Sequence, residues 1–392
     1  MNKTIWLIAV FGAVLLGLVG LTHWLLYQRL VVATALPAPW RQIAAIAIVL
    51  LGLSLPLAFV LQRLVDAPAM RPVAVGAFVW MGLVFLLVLG IAMVGLLGWG
   101  HDKVADFRGL VVDPERRLFL ARLLGGAAAG GALLAGASAL HEALRFPQLR
   151  RVEIKLRKLP KGLDGLTIVQ VSDLHVGVTI QRQWVEKLVI EINKLRPDIV
   201  ALTGDLVDGP VAALREHVAP FANVQARLGT FLVTGNHEYY SGADQWIAVW
   251  QQLGVRVLRN ECVTVQDGDH AFDLAGVDDW TAARFGLAGH GHDVAKALRG
   301  RDTSRELVLL AHQPKSIYEA ADHGVGLQLS GHTHGGQIWP FGWLVRLVQP
   351  YVAGLYLHGA TWIYVSRGTG FWGPPMRLSA PSELTQLVLR AA

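Results

Sequence analysis

LTIVQVSDLH, residues 166–175, runs a largely apolar, β-branched segment straight into an aspartate and a histidine two positions apart. Such a segment fits a strand, and its nearly unbroken apolarity fits a strand buried on both faces of a sheet. Asp173 and His175 then stand just beyond the strand's carboxyl end. Two readings are open for them, a turn that happens to be polar or a metal site.

The same arrangement recurs four times downstream. Residues 199–202 (IVAL) lead into Thr203, Gly204 and Asp205, and residues 230–233 (TFLV) into Gly235, Asn236, His237 and Glu238. Residues 306–310 (ELVLL) lead to His312, and residues 326–329 (GLQL) to GHTHGGQ, 331–337, with His332 and His334. Helix-like stretches separate these strands, such as 182–195, stopped by Pro197, and 241–253, stopped by Gly254. The alternation predicts an α/β layered domain, in which sites form where loops converge beyond strand carboxyl ends.

The residue types narrow the chemistry. In an extended segment, residues i and i+2 share a side, so Asp173 and His175 are expected to reach one ion, and His332 and His334 likewise. Adjacent glycines allow sharp turns and close backbone approach. Mixed oxygen and nitrogen donors without a thiolate suit Mn, Fe or Zn. Seven donor groups are too many for one tetrahedral ion. They match two divalent metal ions sharing a carboxylate, an arrangement that clamps both oxygens of a phosphoester displacement.

Taken in order, Asp173-x-His175, Gly204-Asp205, Gly235-Asn236-His237-Glu238, His312 and Gly331-His332-Thr333-His334 resemble the calcineurin-like metallophosphoesterase signature, over residues 166–337. The resemblance implies a β-sandwich flanked by helices. It implies one ion on Asp173, His175 and His334, a second on Asn236, His312 and His332, and Asp205 bridging both. A metal-bridging hydroxide is then the expected nucleophile on a phosphomono-, phosphodi- or pyrophosphate ester. His237 is expected to stabilise phosphoryl oxygens or protonate the leaving group. For Glu238 two readings stand, a carboxylate orienting a histidine or a surface carboxylate.

The first 145 residues are of another kind. Mean hydropathy over the chain is +0.43 with only 16% charged residues, and the apolar excess lies in four stretches near 5–26, 42–61, 73–99 and 119–140. About 20 apolar residues span a bilayer, so these predict a four-helix transmembrane domain, 1–145, ahead of a hydrolase-type domain, 146–392. That architecture resembles the subgroup of transmembrane proteins with a metallophosphoesterase domain. The net charge of +6 does not point to nucleic acid, since Arg145, Arg150, Arg151, Lys155, Arg157, Lys158 and Lys161 flank the membrane segment, where anionic lipid is the partner. The one cysteine, Cys262, excludes an internal disulfide.

Other features compete for attention. Gly289-His290-Gly291-His292 also spells a ligand pair, but no strand leads into it and it opens a helical stretch at 293–298, so it reads as a loop or cap. Asp278 and Asp279 follow an apolar run but are surplus to the seven donors. Ser366 to Thr369 is a candidate for shaping the site. The aromatic stretch 338–356 either docks on lipid or packs on its own domain. Arg116 and Arg117 resemble a twin-arginine export motif and place the enzyme outside a bacterial inner membrane, whereas seven Lys/Arg within 145–161 against four within 103–117 favour the opposite. The expected substrate is a phosphoester, lipid-linked or from the cell envelope. The alternatives are a tethered phosphatase of soluble esters and a non-catalytic metal-dependent sensor or scaffold.

Overall fold

A computed structural model describes residues 3–64, 70–108 and 113–392. The chain divides into two compact units, Met1–His141 with Gly373–Met376, and Glu142–Trp372 with Arg377–Ala392.

The first unit is helical. Helix α1 (Lys3–Leu26) widens into a π-helical turn at Tyr27–Val32, and α2 (Ala38–Leu64), α3 (Arg71–Phe107) and α4 (Pro114–Leu144) follow. Among the described residues four helical segments are long and apolar enough to cross a membrane, Gly12–Val32, Ala38–Ala58, Arg71–Gly100 and Pro114–Leu144. Each helix outruns the apolar stretch that announced it, because backbone hydrogen bonding continues until a cap or breaker stops it. Thus α4 begins at Pro114 rather than near 119. Asp113 Oδ1 accepts from the Glu115 amide at 3.0 Å, and a proline suits the first turn, where an amide has no intrahelical partner. Arg116 and Arg117 therefore lie in the opening turn of α4. His23, the strongly polar residue of α1, is buried. Its Nε2 accepts from Trp80 Nε1 at 3.0 Å and its Nδ1 lies 2.8 Å from the Val19 carbonyl, so both ring nitrogens find partners inside the protein, as hydrocarbon demands.

The second unit is built on two six-stranded sheets. The first holds β1 (Gln148–Leu156), β2 (Thr167–Val171), β3 (Ile199–Leu202), β4 (Gly229–Leu232), β5 (Arg256–Val257) and β12 (Glu383–Ala391), in the order β1-β12-β2-β3-β4-β5. The second holds β6 (Glu261–Asp267), β7 (His270–Gly276), β8 (Leu307–Leu310), β9 (Leu327–Ser330), β10 (Gly354–His358) and β11 (Thr361–Val365), in the order β10-β11-β9-β8-β7-β6. Strands β2 to β5 are mutually parallel, as are β7, β8, β9 and β11.

Alternation along each strand explains the unbroken apolar runs. Ile168, Ile199, Phe231, Val308, Leu310, Leu327 and Leu329 meet in the core between the sheets. Their neighbours Val169, Val171, Val200, Leu202 and Leu232 point the other way, onto α5 (Arg182–Lys194), α6 (Val211–Val218) and α7 (Ala243–Gln252), through Leu188, Leu214, Trp246 and Trp250. On the second sheet Leu307, Leu309 and Ile363 pack against Val294, Ile317 and Ala320. Both faces of the central strands β2, β3, β8 and β9 are covered, so these have no polar face to alternate with. The result is the expected β-sandwich flanked by helices. All five ligand-type turns leave parallel strands, so they gather at one end of the sandwich.

Candidate metal centre

Among the described residues, three clusters of donor groups form at that end. Asp173, His175 and His334 make one, Asp205, His312 and His332 a second, and His175, Asp208 and His237 a third, the donor atoms of each lying within 4.8 Å of one another. Asp173, His175, Asp205, Asn236, His312 and His334 are buried, while His332 and His237 are partly exposed.

The two histidines of the GHTH turn go to different clusters, contrary to the expectation from extended i, i+2 geometry. The reason is local. Asp173, His175, Asp205, His332 and His334 have φ of 53°, 54°, 54°, 71° and 51°. A left-handed backbone is costly for side chains with a Cβ and persists only where surrounding structure enforces it. These turns, not strand alternation, aim the donors. Packing around them is close. A Cβ on Gly331 would collide with Ser172 Oγ and Asp173 Oδ2, and Gly204, at φ +86°, has the Gly235 backbone and His312 against it.

The first cluster is a hydrogen-bond relay. Buried Arg377 brings Nη2 to 3.2 Å from Nδ1 of His334. A guanidinium only donates, so that Nδ1 accepts and the ring proton sits on Nε2, 3.0 Å from Nε2 of His175. Nδ1 of His175 in turn donates to Asp208 Oδ1 at 2.7 Å. Burial, with His175 and Arg377 nearby, holds His334 well below the usual histidine range.

In the second cluster His312 Nδ1 lies 2.7 Å from the Thr203 carbonyl, and its Nε2 lies 3.1 Å from Asp205 Oδ2 and 3.2 Å from His332 Nδ1. Burial opposes the His312 imidazolium, but the Asp205 carboxylate outweighs it and raises this histidine well above its ordinary value. Burial and the His312 charge push His332 down to about 4.

These residues fit divalent cations. Two donors about 2.1 Å from one ion at a right angle lie about 3.0 Å apart, the spacing found between His175 and His334 and close to that between His312 and His332. Asp173 Oδ2 and Asn236 Oδ1 are buried with no hydrogen-bond partner. Orphaned acceptors of this kind call for an explanation, and a cation supplies one.

His237, in the third cluster, stands beside the other two. Its ring Nδ1 lies 2.7 Å from Asp208 Oδ1 and its Nε2 4.0 Å from Asp205 Oδ2. Burial disfavours its charged form, but Asp205 and Asp208 prevail and raise it to about 9. Tyr240 and Trp372 wall the ring at 5.2 and 5.9 Å. Asp208 escaped the sequence reading. Its signal was a second carboxylate in the turn after β3, three residues past Asp205. Although burial pulls the other way, His175 and His237 hold Asp208 at about 2.

Glu238 is neither a surface carboxylate nor a histidine partner. It is buried, and its two oxygens accept from the amides of Asp205 at 2.9 Å, Leu206 at 2.7 Å and Gly235 at 2.7 Å. It therefore fixes the turn that carries Asp205. Residues 366–369 brace the neighbouring turn, the Thr369 amide donating to the Ser172 carbonyl at 2.7 Å.

The competing motifs have other partners. His290 lies between Asp244 and Tyr239 at 2.9 and 3.0 Å. His292 stacks on Trp280 with centroids 4.5 Å apart. Asp278 takes Arg259 in a two-pronged pair at 3.1 and 2.9 Å, and Asp279 holds Gln313 at 3.1 and 2.9 Å.

The profile of the calcineurin-like phosphoesterase family matches residues 166–336. A Bos taurus protein named transmembrane protein with metallophosphoesterase domain is 43% identical over 263 residues, covering 64% of this chain and 59% of that protein. A metallophosphoesterase of Helicobacter pylori is 42% identical over 251 residues, 64% of this chain and 65% of its own length. Less than two thirds of each of these two relatives is therefore spanned. A metallophosphoesterase of Aquifex aeolicus is 36% identical over 261 residues, 66% of this chain and 97% of that protein.

Proposed function

Because the chain belongs to the calcineurin-like metallophosphoesterase family, we propose that it is a membrane-anchored phosphoesterase working with two divalent cations, Mn, Fe or Zn. Asp173, His175 and His334 would hold one cation and Asn236, His312 and His332 the other, with Asp205 shared by both. When bound, such a pair would supply an activated solvent nucleophile and neutralise the phosphoryl oxygens.

The chain's own residues supply the rest. His237, steadied by Asp208, is placed to donate a proton to the leaving oxygen. Glu238 fixes the bridging carboxylate through its backbone, and Arg377 fixes the ring of His334. The observation that carries this reading is the pair of buried acceptors, Asp173 Oδ2 and Asn236 Oδ1, left without partners among imidazoles at ligand spacing. A scaffold has no need of His237, an imidazole held beside the proposed cation sites by its own carboxylate.

The substrate in this reading is a phosphoester carried by lipid or by the cell envelope, and the hydrolase unit faces the outside of a bacterial inner membrane, with Arg116 and Arg117 retained in the cytoplasm. The test is hydrolysis of a chromogenic phosphodiester by the purified full chain with Mn, beside Asp205→Ala and His237→Ala. Loss in both variants is expected. Equal rates in all three would remove the assignment. Impermeant thiol labelling of a cysteine placed at Glu186 in intact cells reads the sidedness.

A further inference from the structure

Trp372, whose ring stands 5.9 Å from that of His237, is 54% exposed. Two hydrogen bonds tie it to Gln337, the side chain donating to the Trp372 carbonyl at 2.8 Å and accepting from its amide at 3.0 Å. Gln337 opens a loop, 338–352, whose far end returns to the clusters, where the Val352 carbonyl accepts from Thr333, the residue between His332 and His334. Between these two anchors Trp343, Leu344, Leu347 and Val348 are 66%, 56%, 79% and 72% exposed. Large apolar side chains seldom gather in water without something to cover them.

Position and charge say what the cover is. The chain enters this unit at Glu142, and Ala143 packs in the same apolar cluster as Phe371, next to Trp372. Helix α4, of membrane-spanning length, ends at Leu144, so a bilayer is held at high effective concentration beside this unit. Arg145, Arg150 and Arg151 are exposed around the entry. Arg346, within the apolar loop, joins Lys315, Glu319 and Trp280 around a cleft of about 410 Å³, with Lys315 Nζ 4.7 Å from the Trp280 ring centre. Tryptophan beside leucine and arginine is the composition that settles at the lipid headgroup level.

We propose that the loop 338–352 and Trp372 form an interfacial rim that inserts into an anionic bilayer at the mouth of the metal centre, so that phosphoester headgroups pass from the lipid surface to His237. The inference rests on the phosphoesterase reading for its substrate but not for its measurement. Side chains of such a rim reach about 5–10 Å into the headgroup and acyl boundary.

The experiment uses the full chain, with Cys262→Ser and a spin label on Leu347→Cys, reconstituted in nanodiscs of phosphatidylcholine with phosphatidylglycerol. The 347 label is expected to be more accessible to oxygen than to a water-soluble nickel chelate, and a control label at Glu186→Cys the reverse. Replacing phosphatidylglycerol by phosphatidylcholine, or adding Arg346→Glu, is expected to move the label toward water. A 347 label as wet as the control overturns the proposal. A label shielded from both reagents does so too, since it would report burial against protein. Hydrolysis of a soluble ester is read separately, so loss of the rim and loss of the enzyme are distinguishable.

Discussion

Asp208 holds Nδ1 of His237 at 2.7 Å with Oδ1, the same oxygen it presents to Nδ1 of His175. One carboxylate thus orients a metal-type histidine and the proposed proton donor together. Asp208→Asn keeps the shape but removes the charge. Partners of ligating histidines are typically worth 10–100-fold, so kcat and metal affinity are both expected to fall by about that factor. A variant with undiminished kcat and full metal content would show that Asp208 is a bystander.

His237 is expected to titrate at about 9 in the metal-free protein, since Asp205 and Asp208 face it and outweigh its burial. Its folded value is raised, so its contribution to stability is complete below about 6.5 and disappears as pH climbs through about 9. Two cations on the neighbouring carboxylates would cancel part of that field and bring the value down. NMR of histidine-labelled protein, assigned with His237→Gln, reads both states. An ordinary value in the metal-free state would contradict the geometry.

Metal binding is expected to expel protons. The proton that His312 shares with Asp205 occupies a place that a proposed cation takes, whereas neutral His334 only has to change which ring nitrogen carries its proton. About one proton should therefore leave at neutral pH, and affinity should weaken as pH falls. Calorimetry in two buffers of different ionisation enthalpy counts the protons released. Binding with no proton release would mean the ions sit elsewhere.

Gly331→Ala places a Cβ against Ser172 Oγ and Asp173 Oδ2. Overpacking of this kind costs about 1–3 kcal/mol, and here the displaced group is a proposed ligand. Metal content and melting temperature should fall together. Normal loading by the alanine variant would mean that the Asp173 turn yields more easily than its burial indicates.

Glu238→Gln leaves one oxygen to serve three amides and turns an NH2 toward a backbone donor. The cost of such an unmatched buried group is about 1–3 kcal/mol. The melting temperature is expected to drop by several degrees, and the Asp205 turn should gain amide hydrogen exchange. An unchanged melting profile would show the turn to be held by other contacts.

The strands and their order of candidate ligands were legible because both faces of the central strands are covered, which leaves apolar runs that stop abruptly at Asp173, Asp205, Asn236, His312 and His332. The partition of the histidines was not legible from spacing. It depends on left-handed turns at five residues with side chains, which tertiary packing enforces and no periodicity records. Asp208 went unread, because its part in the site comes only from two rings brought to it from the turns after β2 and β4. Glu238 was ambiguous for a similar reason. Its partners are backbone amides, which have no signature in the side-chain pattern. Arg377, about 40 residues past the last motif, left no trace at all.

Strand β12 lies between β1 and β2, pairing with Gln148–Leu156 on one side and Thr167–Val171 on the other. The ribosome makes β1 and β2 some 200 residues before it makes their common neighbour. Their edges stay open through most of synthesis, while the helices that precede them have already been delivered to the bilayer. The hydrolase unit must therefore mature after its anchor. A chain cut short before Glu383 would present the cell with a lodged membrane segment bearing two unsealed strands, a natural target for quality-control proteases.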